Sequence, residues 1–112
     1  MSEKTSLNNK LRNILENLFQ EKGIDLNKVV VFGSWAKNTQ KKDSDIDLII
    51  VSKSFRNKGL FERVELVTGV GRELVKRTKI PFDIMYYSDE EWESGNSLII
   101  NAAKEDGKVI FG

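Results

Sequence analysis

Residues 29–51 read VVVFGSWAKNTQKKDSDIDLIIV, and this stretch decides the fold. It contains two short apolar runs, residues 29–32 and 48–51, both rich in β-branched side chains and separated by a polar segment. Runs of this length and composition, bounded by polar residues, predict buried strands. A Gly-Ser pair follows the first run, and an Asp-Ile-Asp triplet opens the second. The residues that could carry chemistry therefore stand at the ends of two predicted strands.

The rest of the chain predicts helices that alternate with further strands. Apolar residues between Leu7 and Leu18 recur at helical spacing and Gly23 is a stop signal, which predicts a first helix. A second long helix is predicted over residues 60–75, with Gly69 and Gly71 weakening or bending its middle. A third strand is predicted over residues 81–87, and a capping box opens a helix at residue 88. A last helix over residues 97–104 and a final strand over residues 108–111 follow. This order predicts one α/β domain over residues 1–112, with a mixed sheet flanked by helices.

The acidic residues at the second strand predict a metal site. Asp45 and Asp47 would lie on the same face of a strand, because side chains alternate with a period of two. Two neighbouring carboxylates repel each other, and a divalent cation between all-oxygen ligands, Mg²⁺ in particular, resolves that repulsion. Asp83 in the third strand is the candidate third carboxylate, able to activate a hydroxyl in a metal-assisted transfer. Asp43 is interpreted as a solvated loop residue.

The Gly-Ser pair predicts a phosphate site. Gly33 ends the first strand where the chain must turn sharply, and Ser34 could cap a helix that begins there. A helix N-terminus presents free N–H groups and positive dipole to an anion. Lys37 could contact phosphate or point to water, and the sequence leaves both open. A nucleoside triphosphate with magnesium is the ligand that these features favour.

These motifs together resemble the nucleotidyltransferase superfamily of DNA polymerase beta. The whole chain is similar to its smallest members, the minimal nucleotidyltransferases (MNT) encoded beside HEPN-domain proteins. The usual Gly-Ser-x-Ala-Arg-Gly has Lys37 for Arg and Asn38 for Gly here. Lys keeps the charge of Arg but loses its bidentate fork. Trp35, between the Ser and the Ala, is interpreted as a packing residue rather than a base-stacking platform.

The resemblance implies a function as well as a fold. It implies transfer of AMP from ATP to a hydroxyl, with a tyrosine of a HEPN-type toxin as the acceptor and this chain as the antitoxin. Gly33 and Ser34 would hold the triphosphate, with Lys37 as a further candidate contact. Asp45 and Asp47 would bind two Mg²⁺ ions, and Asp83 would bind one of them and assist deprotonation. A hetero-oligomer with the toxin is the corresponding expectation.

Composition removes several other classes of protein. Lys plus Arg is 18 and Asp plus Glu is 17, a net charge of +1 that gives no argument for a nucleic-acid or anionic membrane surface. Cysteine and histidine are absent, which excludes disulfides, zinc–thiolate sites and serine–histidine triads. No signal sequence or membrane-length apolar run is visible, so we expect a cytoplasmic protein. The basic residues between Arg72 and Lys79 are interpreted as a solvated helix face.

Two other functions stay open at this level. The chain could be a non-catalytic nucleotide-binding or toxin-masking subunit that neutralises its partner by contact. Clustered charges are costly, and a masking module gains nothing from keeping them, which favours the enzyme. Transfer to a small molecule such as an aminoglycoside is a weaker alternative, since enzymes of that kind usually carry an additional helical domain. An Asp47→Asn variant distinguishes these hypotheses, because neutralisation by contact should survive the substitution whereas nucleotidyl transfer should fail.

Overall fold

The computed structural model describes residues 3–37, 39–41 and 44–112, with the backbone alone for residues 3–5. The described residues form five α-helices and four strands, with a 3₁₀ turn at Lys53–Phe55. The helices are α1 Glu3–Lys22, α2 Leu60–Leu66, α3 Val70–Thr78, α4 Asp89–Ser94 and α5 Leu98–Asp106. The strands are β1 Lys28–Phe32, β2 Ile46–Val51, β3 Phe82–Tyr87 and β4 Lys108–Phe111.

The four strands form one mixed sheet in the order β3-β2-β1-β4. Strand β1 is antiparallel to both of its neighbours, whereas β2 and β3 are parallel. The parallel pair requires a crossover connection, which α2 and α3 supply between β2 and β3. The predicted α/β fold with a mixed sheet is confirmed.

The two faces of the sheet are covered unequally. Even-numbered residues of β2 pack into the larger cluster with side chains of α1 and α3: Ile46, Leu48, Ile50, Leu11, Leu15 and Leu74. Odd-numbered residues of β2 pack into a smaller cluster with side chains of α4 and α5: Ile49, Val51, Trp92, Ile100 and Ala103. Because side chains alternate along a strand, Asp47 shares the face of the smaller cluster. The site therefore lies on the thinly covered side of the sheet.

Several local predictions are confirmed by the backbone. Helix α1 ends at Lys22, and Gly23 follows it in the left-handed region at φ +68°. The Ser88 hydroxyl accepts a hydrogen bond from the Glu91 N–H, and a Glu91 carboxylate oxygen accepts one from the Ser88 N–H, which completes the capping box. Strand β4 has the predicted bounds. No helix among the described residues is long and apolar enough to span a membrane.

The prediction of one long helix over residues 60–75 is wrong. The chain forms two helices instead, and Gly69, at φ +88°, lies at the start of the second one. A residue with this left-handed backbone cannot continue a right-handed helix, so the chain changes direction there. The exposed basic face of α3 is as interpreted, with Arg72, Lys76 and Lys79 all on the surface.

Candidate functional site

The structure places Asp47 and Asp83 at the same level of two neighbouring strands. Asp47 of β2 pairs in register with Asp83 of β3 on one side and with Phe32 of β1 on the other. Residues directly opposite each other on one face of a sheet are close neighbours. Asp45 lies one residue before β2 begins, so it precedes the strand rather than belonging to it. The sequence spacing thus brings the three acids to one corner of the sheet.

The pKa of Asp47 shows that these charges interact. Partial burial raises the pKa of Asp47 above its ordinary 3.8, and the neighbouring charges of Asp83 and Asp45 raise it further. Asp45 and Asp83 are exposed, while Asp47 is half-buried behind them. A raised pKa means that the charged form is disfavoured in the folded chain. A cation at this corner would remove that disadvantage.

The fit to Mg²⁺ rests on the chemistry of the donors. The three candidate ligands are all carboxylates, the oxygen donors that Mg²⁺ prefers. Among the described residues, no three Asp, Glu, His or Cys side chains are gathered into a ready metal cluster. Unscreened carboxylates repel and favour side-chain positions that point apart. Asp43, interpreted as solvated, and Asn38 lie outside the described residues.

Gly33 lies directly against Asp47. It adopts φ +72°, in the left-handed region that favours glycine. A Cβ atom added to Gly33 would lie 2.3 Å from Asp47 Oδ2, far inside van der Waals contact. The backbone conformation therefore favours glycine here, and a larger residue would force the Asp47 carboxylate to shift. The predicted phosphate-binding end and the predicted metal-binding end of the motif meet at this contact.

The predicted helix after Gly33 is replaced by a turn. The Lys37 N–H donates to the Gly33 carbonyl at 3.2 Å, and the Thr39 N–H donates to the Ser34 carbonyl at 2.9 Å. The second bond spans one residue more than an α-helical bond, so the chain leaves helical geometry after one turn. Ser34 is half-buried in this turn and caps no helix. The helix-dipole argument for phosphate binding does not apply to it.

Trp35 connects the turn after Gly33 to the segment that precedes Asp45 and Asp47. Its indole N–H donates to the Ser44 carbonyl at 3.2 Å, and its ring packs on the larger core cluster. Its interpretation as a packing residue is confirmed. The contact fixes the separation of the two ends of the motif, because Ser44 immediately precedes Asp45.

Lys37 has a partner that the sequence did not indicate. Its ammonium lies 3.6 Å from the carboxylate of Asp106, the last residue of α5. Both side chains are about half exposed, so the pair is weak and can exchange with solvent or with another anion. The two residues are far apart in the chain, and no local pattern predicts such a long-range ion pair.

The fold and this corner of the sheet define the class of protein. A mixed α/β sheet with carboxylates of adjacent strands beside a glycine turn is the arrangement that the sequence resemblance leads us to expect. A sequence profile of the nucleotidyltransferase domain family matches residues 9–110. The chain belongs to that family.

One curated relative is similar in sequence over part of its length. "Putative protein adenylyltransferase MJ1305" from Methanocaldococcus jannaschii is 32% identical over 77 residues. The match covers 69% of this chain and 51% of the relative, so the chain spans about half the length of that protein.

Solved structures share the fold at low sequence identity. One chain of a toxin–antitoxin complex crystallised with AMP-PNP has a TM-score of 0.62 at 21% identity, covering 89% of this chain and 72% of that one. A second match is to the structure of a tri-AMPylated HEPN toxin from Shewanella oneidensis in complex with an MNT antitoxin. Its TM-score is 0.55 at 17% identity, covering 97% of this chain and 72% of that one. At these identities the likeness shows the fold alone.

Proposed function

We propose that this chain is a Mg²⁺-dependent nucleotidyltransferase that transfers AMP from ATP to a tyrosine hydroxyl of a HEPN-type toxin and so acts as its antitoxin. The observation that carries the proposal is the corner of the sheet where Asp47 lies level with Asp83 and against Gly33. The raised pKa of Asp47 supports it, because the charges of Asp83 and Asp45 add to the effect of burial. Costly clustered charges in an otherwise ordinary small fold favour a catalytic role.

The residues would divide the reaction between them. Asp45, Asp47 and Asp83 would hold Mg²⁺, which supplies Lewis-acid stabilisation of the charge that builds up on the α-phosphate. The exposed carboxylate of Asp83 is open to an incoming acceptor, so it would accept the proton of the attacking hydroxyl. The hydroxyl oxygen bonds to the α-phosphorus, the bond to the β-phosphate oxygen breaks, and pyrophosphate leaves. The backbone of Gly33 and Ser34 would lie along the triphosphate.

Lys37 would take part only after leaving Asp106. An exposed ion pair of this kind contributes little to stability, so a triphosphate carrying several negative charges can compete for the ammonium. Lys37 then contributes a single point charge to phosphate, without the bidentate geometry of arginine. We therefore expect Lys37→Met to raise the KM for ATP more than it lowers kcat.

The acceptor is proposed to arrive on a second chain, in a hetero-oligomer. The grooves found beside α2 and the outer part of β3 are open to solvent, so a second chain can reach them. The relative named as a protein adenylyltransferase and the fold neighbour that contains an AMPylated HEPN toxin support a protein acceptor.

The test is incubation of the purified chain with Mg²⁺ and α-labelled ATP, with and without its genetically adjacent partner. Label on the partner with wild type, and none with Asp45→Asn/Asp47→Asn, is the expected result. Glu93→Gln/Glu105→Gln is the matched control, because it removes the same charge from exposed positions on α4 and α5. Equal labelling by the double Asn variant would contradict the assignment of the acids.

Neutralisation of the partner by contact is the second candidate function. It is favoured by the observation that no three metal-ligating side chains are gathered among the described residues. Under this alternative, no label appears and the double Asn variant silences the partner as well as wild type does. The same experiment therefore decides between the two.

A further inference from the structure

Strand β3 forms one edge of the sheet and carries Asp83. Within the described residues, β3 pairs with β2 alone. The Ile46 N–H donates to the Pro81 carbonyl at 2.9 Å, and the Ser52 N–H donates to the Tyr87 carbonyl at 3.0 Å. In a parallel pair, the residues of one strand alternate between facing their partner strand and facing away from it. The odd-numbered residues from Pro81 to Tyr87 therefore direct their backbone groups towards β2.

The even-numbered residues of β3 direct their backbone groups outwards. The hydrogen bond from Arg63 Nη1 to the Tyr86 carbonyl, at 2.9 Å, shows this direction and covers that carbonyl. The backbone N–H and C=O groups of Phe82 and Ile84 have the same outward direction. None of the hydrogen bonds found among the described residues outside regular elements uses them. They form a short template to which an extended chain can bind.

A groove with apolar and charged walls runs beside this edge. It has a volume of about 390 Å³ and lies between the start of α2 and the outer residues of β3. Leu60, Ile84 and Tyr86 line it together with the charged side chains of Lys58, Arg63 and Glu91. Leu60 is 67% exposed and the neighbouring Phe61 is 88% exposed. None of the residues of α2 is buried. This surface offers apolar contacts next to main-chain hydrogen-bonding groups.

The edge is continuous with the candidate site. Phe32, Asp47 and Asp83 lie at one level across β1, β2 and β3. A strand bound to the outer edge of β3 would place one of its own side chains at that level, next to Asp83 and about 5 Å away between Cβ atoms. Asp83 is exposed, so the α4 and α5 layer leaves room on that face.

We propose that the outer edge of β3 binds an extended segment of the acceptor polypeptide as a fifth strand, with the acceptor hydroxyl at the level of Asp83. The inference rests on the proposed function and specifies how its acceptor is recognised. Main-chain hydrogen bonds to Phe82 and Ile84 supply affinity, and the groove at Leu60 receives an apolar side chain of the segment. A small-molecule acceptor would have no use for either feature.

The first test compares a strand-forming acceptor with a small one. The probes are the blocked heptapeptide Ac-Val-Thr-Val-Tyr-Val-Thr-Val-NH₂, which directs its valines to the face opposite the tyrosine, and N-acetyl-tyrosinamide, each at millimolar concentration with Mg²⁺ and α-labelled ATP. We expect the heptapeptide to be labelled about tenfold faster, which corresponds to one or two main-chain hydrogen bonds. N-methylation of successive peptide amides should slow labelling at alternate positions only. Equal rates for the two probes, or equal effects at all methylated positions, would overturn the proposal.

A pair of variants tests the groove itself. Leu60→Glu should bring the ratio of the two labelling rates about fivefold closer to one, because it removes the apolar contact. Leu98→Glu is the matched control, since Leu98 is 88% exposed and lies on α5 rather than beside β3. We expect the control to keep the wild-type ratio. A ratio that falls equally in both variants contradicts the groove assignment.

Hydrogen exchange separates docking from chemistry. On adding the heptapeptide to the Asp45→Asn/Asp47→Asn variant, the amides of Phe82 and Ile84 should exchange more slowly, whereas those of Asp83 and Met85 should not change. Protection without any labelling by wild type would reject the proposed function and keep the docking edge. Labelling of the partner by wild type, with no protection at Phe82 and Ile84, would reject the edge and keep the function.

Discussion

At the scale of the residue, the contact between Gly33 and Asp47 connects backbone conformation to chemistry. Gly33 and Gly23 have almost the same backbone angle, φ +72° and φ +68°, but a Cβ at Gly23 would meet nothing within 4 Å. Alanine substitutions at the two glycines therefore separate the strain of a left-handed backbone from the steric clash with the Asp47 carboxylate. Each Gly→Ala change carries about 1–2 kcal/mol of left-handed strain.

We expect Gly33→Ala, but not Gly23→Ala, to abolish most of the transferase activity. The added methyl group would displace the Asp47 carboxylate, and a misplacement of this size costs on the order of 100-fold in rate. Urea denaturation gives the stability of both variants, and labelling with α-labelled ATP gives their activity. The interpretation fails if the two variants lose activity in equal measure for equal losses of stability.

The raised pKa of Asp47 leads to a prediction about stability and pH. The folded chain binds this proton more tightly than the unfolded chain, whose Asp47 titrates near 3.8. Proton binding by Asp47 therefore contributes fully to the stability of the fold below pH 3.8. This contribution is lost as the pH rises through the higher pKa of Asp47 in the folded chain. At neutral pH, Asp47→Asn removes a disfavoured charge and should stabilise the metal-free fold by no more than about 1 kcal/mol, the range of solvent-screened charge interactions.

Thermal unfolding of wild type and Asp47→Asn across pH 3–7 measures this difference. The gain from the substitution should be largest at neutral pH and should vanish as the solution becomes acidic. An Asp47→Asn variant that is less stable than wild type at neutral pH would show that Asp47 makes a net favourable interaction in the fold.

At the scale of the element, Arg63 of α2 joins three parts of the structure. Its guanidinium donates to the Tyr86 carbonyl of β3 and to the Glu91 carboxylate of α4 at 2.6 Å. It also lies 6.0 Å from the centre of the Phe55 ring. Burial alone would raise the pKa of Glu91, but the hydrogen bonds from Ser88 and Arg63 outweigh it and hold that pKa below its ordinary 4.5.

Arg63→Met should therefore destabilise the fold in a pH-dependent way. Loss of these hydrogen bonds should cost about 1–2 kcal/mol at neutral pH. Because the pKa of Glu91 is depressed in the folded chain, its contribution is present above its ordinary value of 4.5 and is lost as the pH falls through the folded value. Denaturation at pH 7 and at pH 3 tests this, with exposed Arg72→Met on α3 as the control. A pH-independent loss would show that the pairing of Arg63 with Glu91 contributes nothing to stability.

Sequence periodicity predicted most elements because their signals are local. The β-branched runs, the Gly23 stop and the Ser88 capping box each depend on neighbouring residues, and each appears as expected. The single helix over residues 60–75 failed because a glycine that weakens a helix in sequence can also take a left-handed angle, and Gly69 does. Helical spacing on both sides of such a glycine is the same for one helix as for two.

The candidate site was predictable in its acids and less so in its surroundings. The strand that holds Asp83 was recognisable, and it lies in register with Asp47, whereas Asp45 precedes β2 and its common face with Asp47 stays a prediction. The contact of Gly33 with Asp47 depends on the register of β1 against β2, which no local pattern specifies. The same holds for the pairing of Lys37 with Asp106, which joins the turn to the end of a distant helix.

At the scale of the whole molecule, one face of the sheet carries most of the hydrophobic core and the other face carries the candidate site. The larger cluster between the sheet and α1 and α3 contains most of the fully buried side chains. The smaller cluster under α4 and α5 leaves Asp45 and Asp83 exposed at the sheet corner. Charges that repel each other can be kept there because burial elsewhere offsets their cost.

This division predicts that Mg²⁺ stabilises the whole chain through the acids alone. A cation that binds the folded chain and not the unfolded one raises the free energy of unfolding by roughly 1.4 kcal/mol at ten times its Kd. We expect Mg²⁺ to raise the Tm of wild type relative to sodium chloride of equal ionic strength. Chelation with EDTA should reverse the gain.

The Asp45→Asn/Asp47→Asn variant should be more stable than wild type without metal but should not respond to Mg²⁺. It should unfold at a higher temperature than metal-free wild type, because the repulsion is relieved, and should gain nothing from Mg²⁺. The two effects have opposite signs in the same variant, so a general loss of stability cannot imitate them. A double Asn variant with a Mg²⁺ response equal to that of wild type would place the cation elsewhere on the chain and remove the charge-based argument for the metal site.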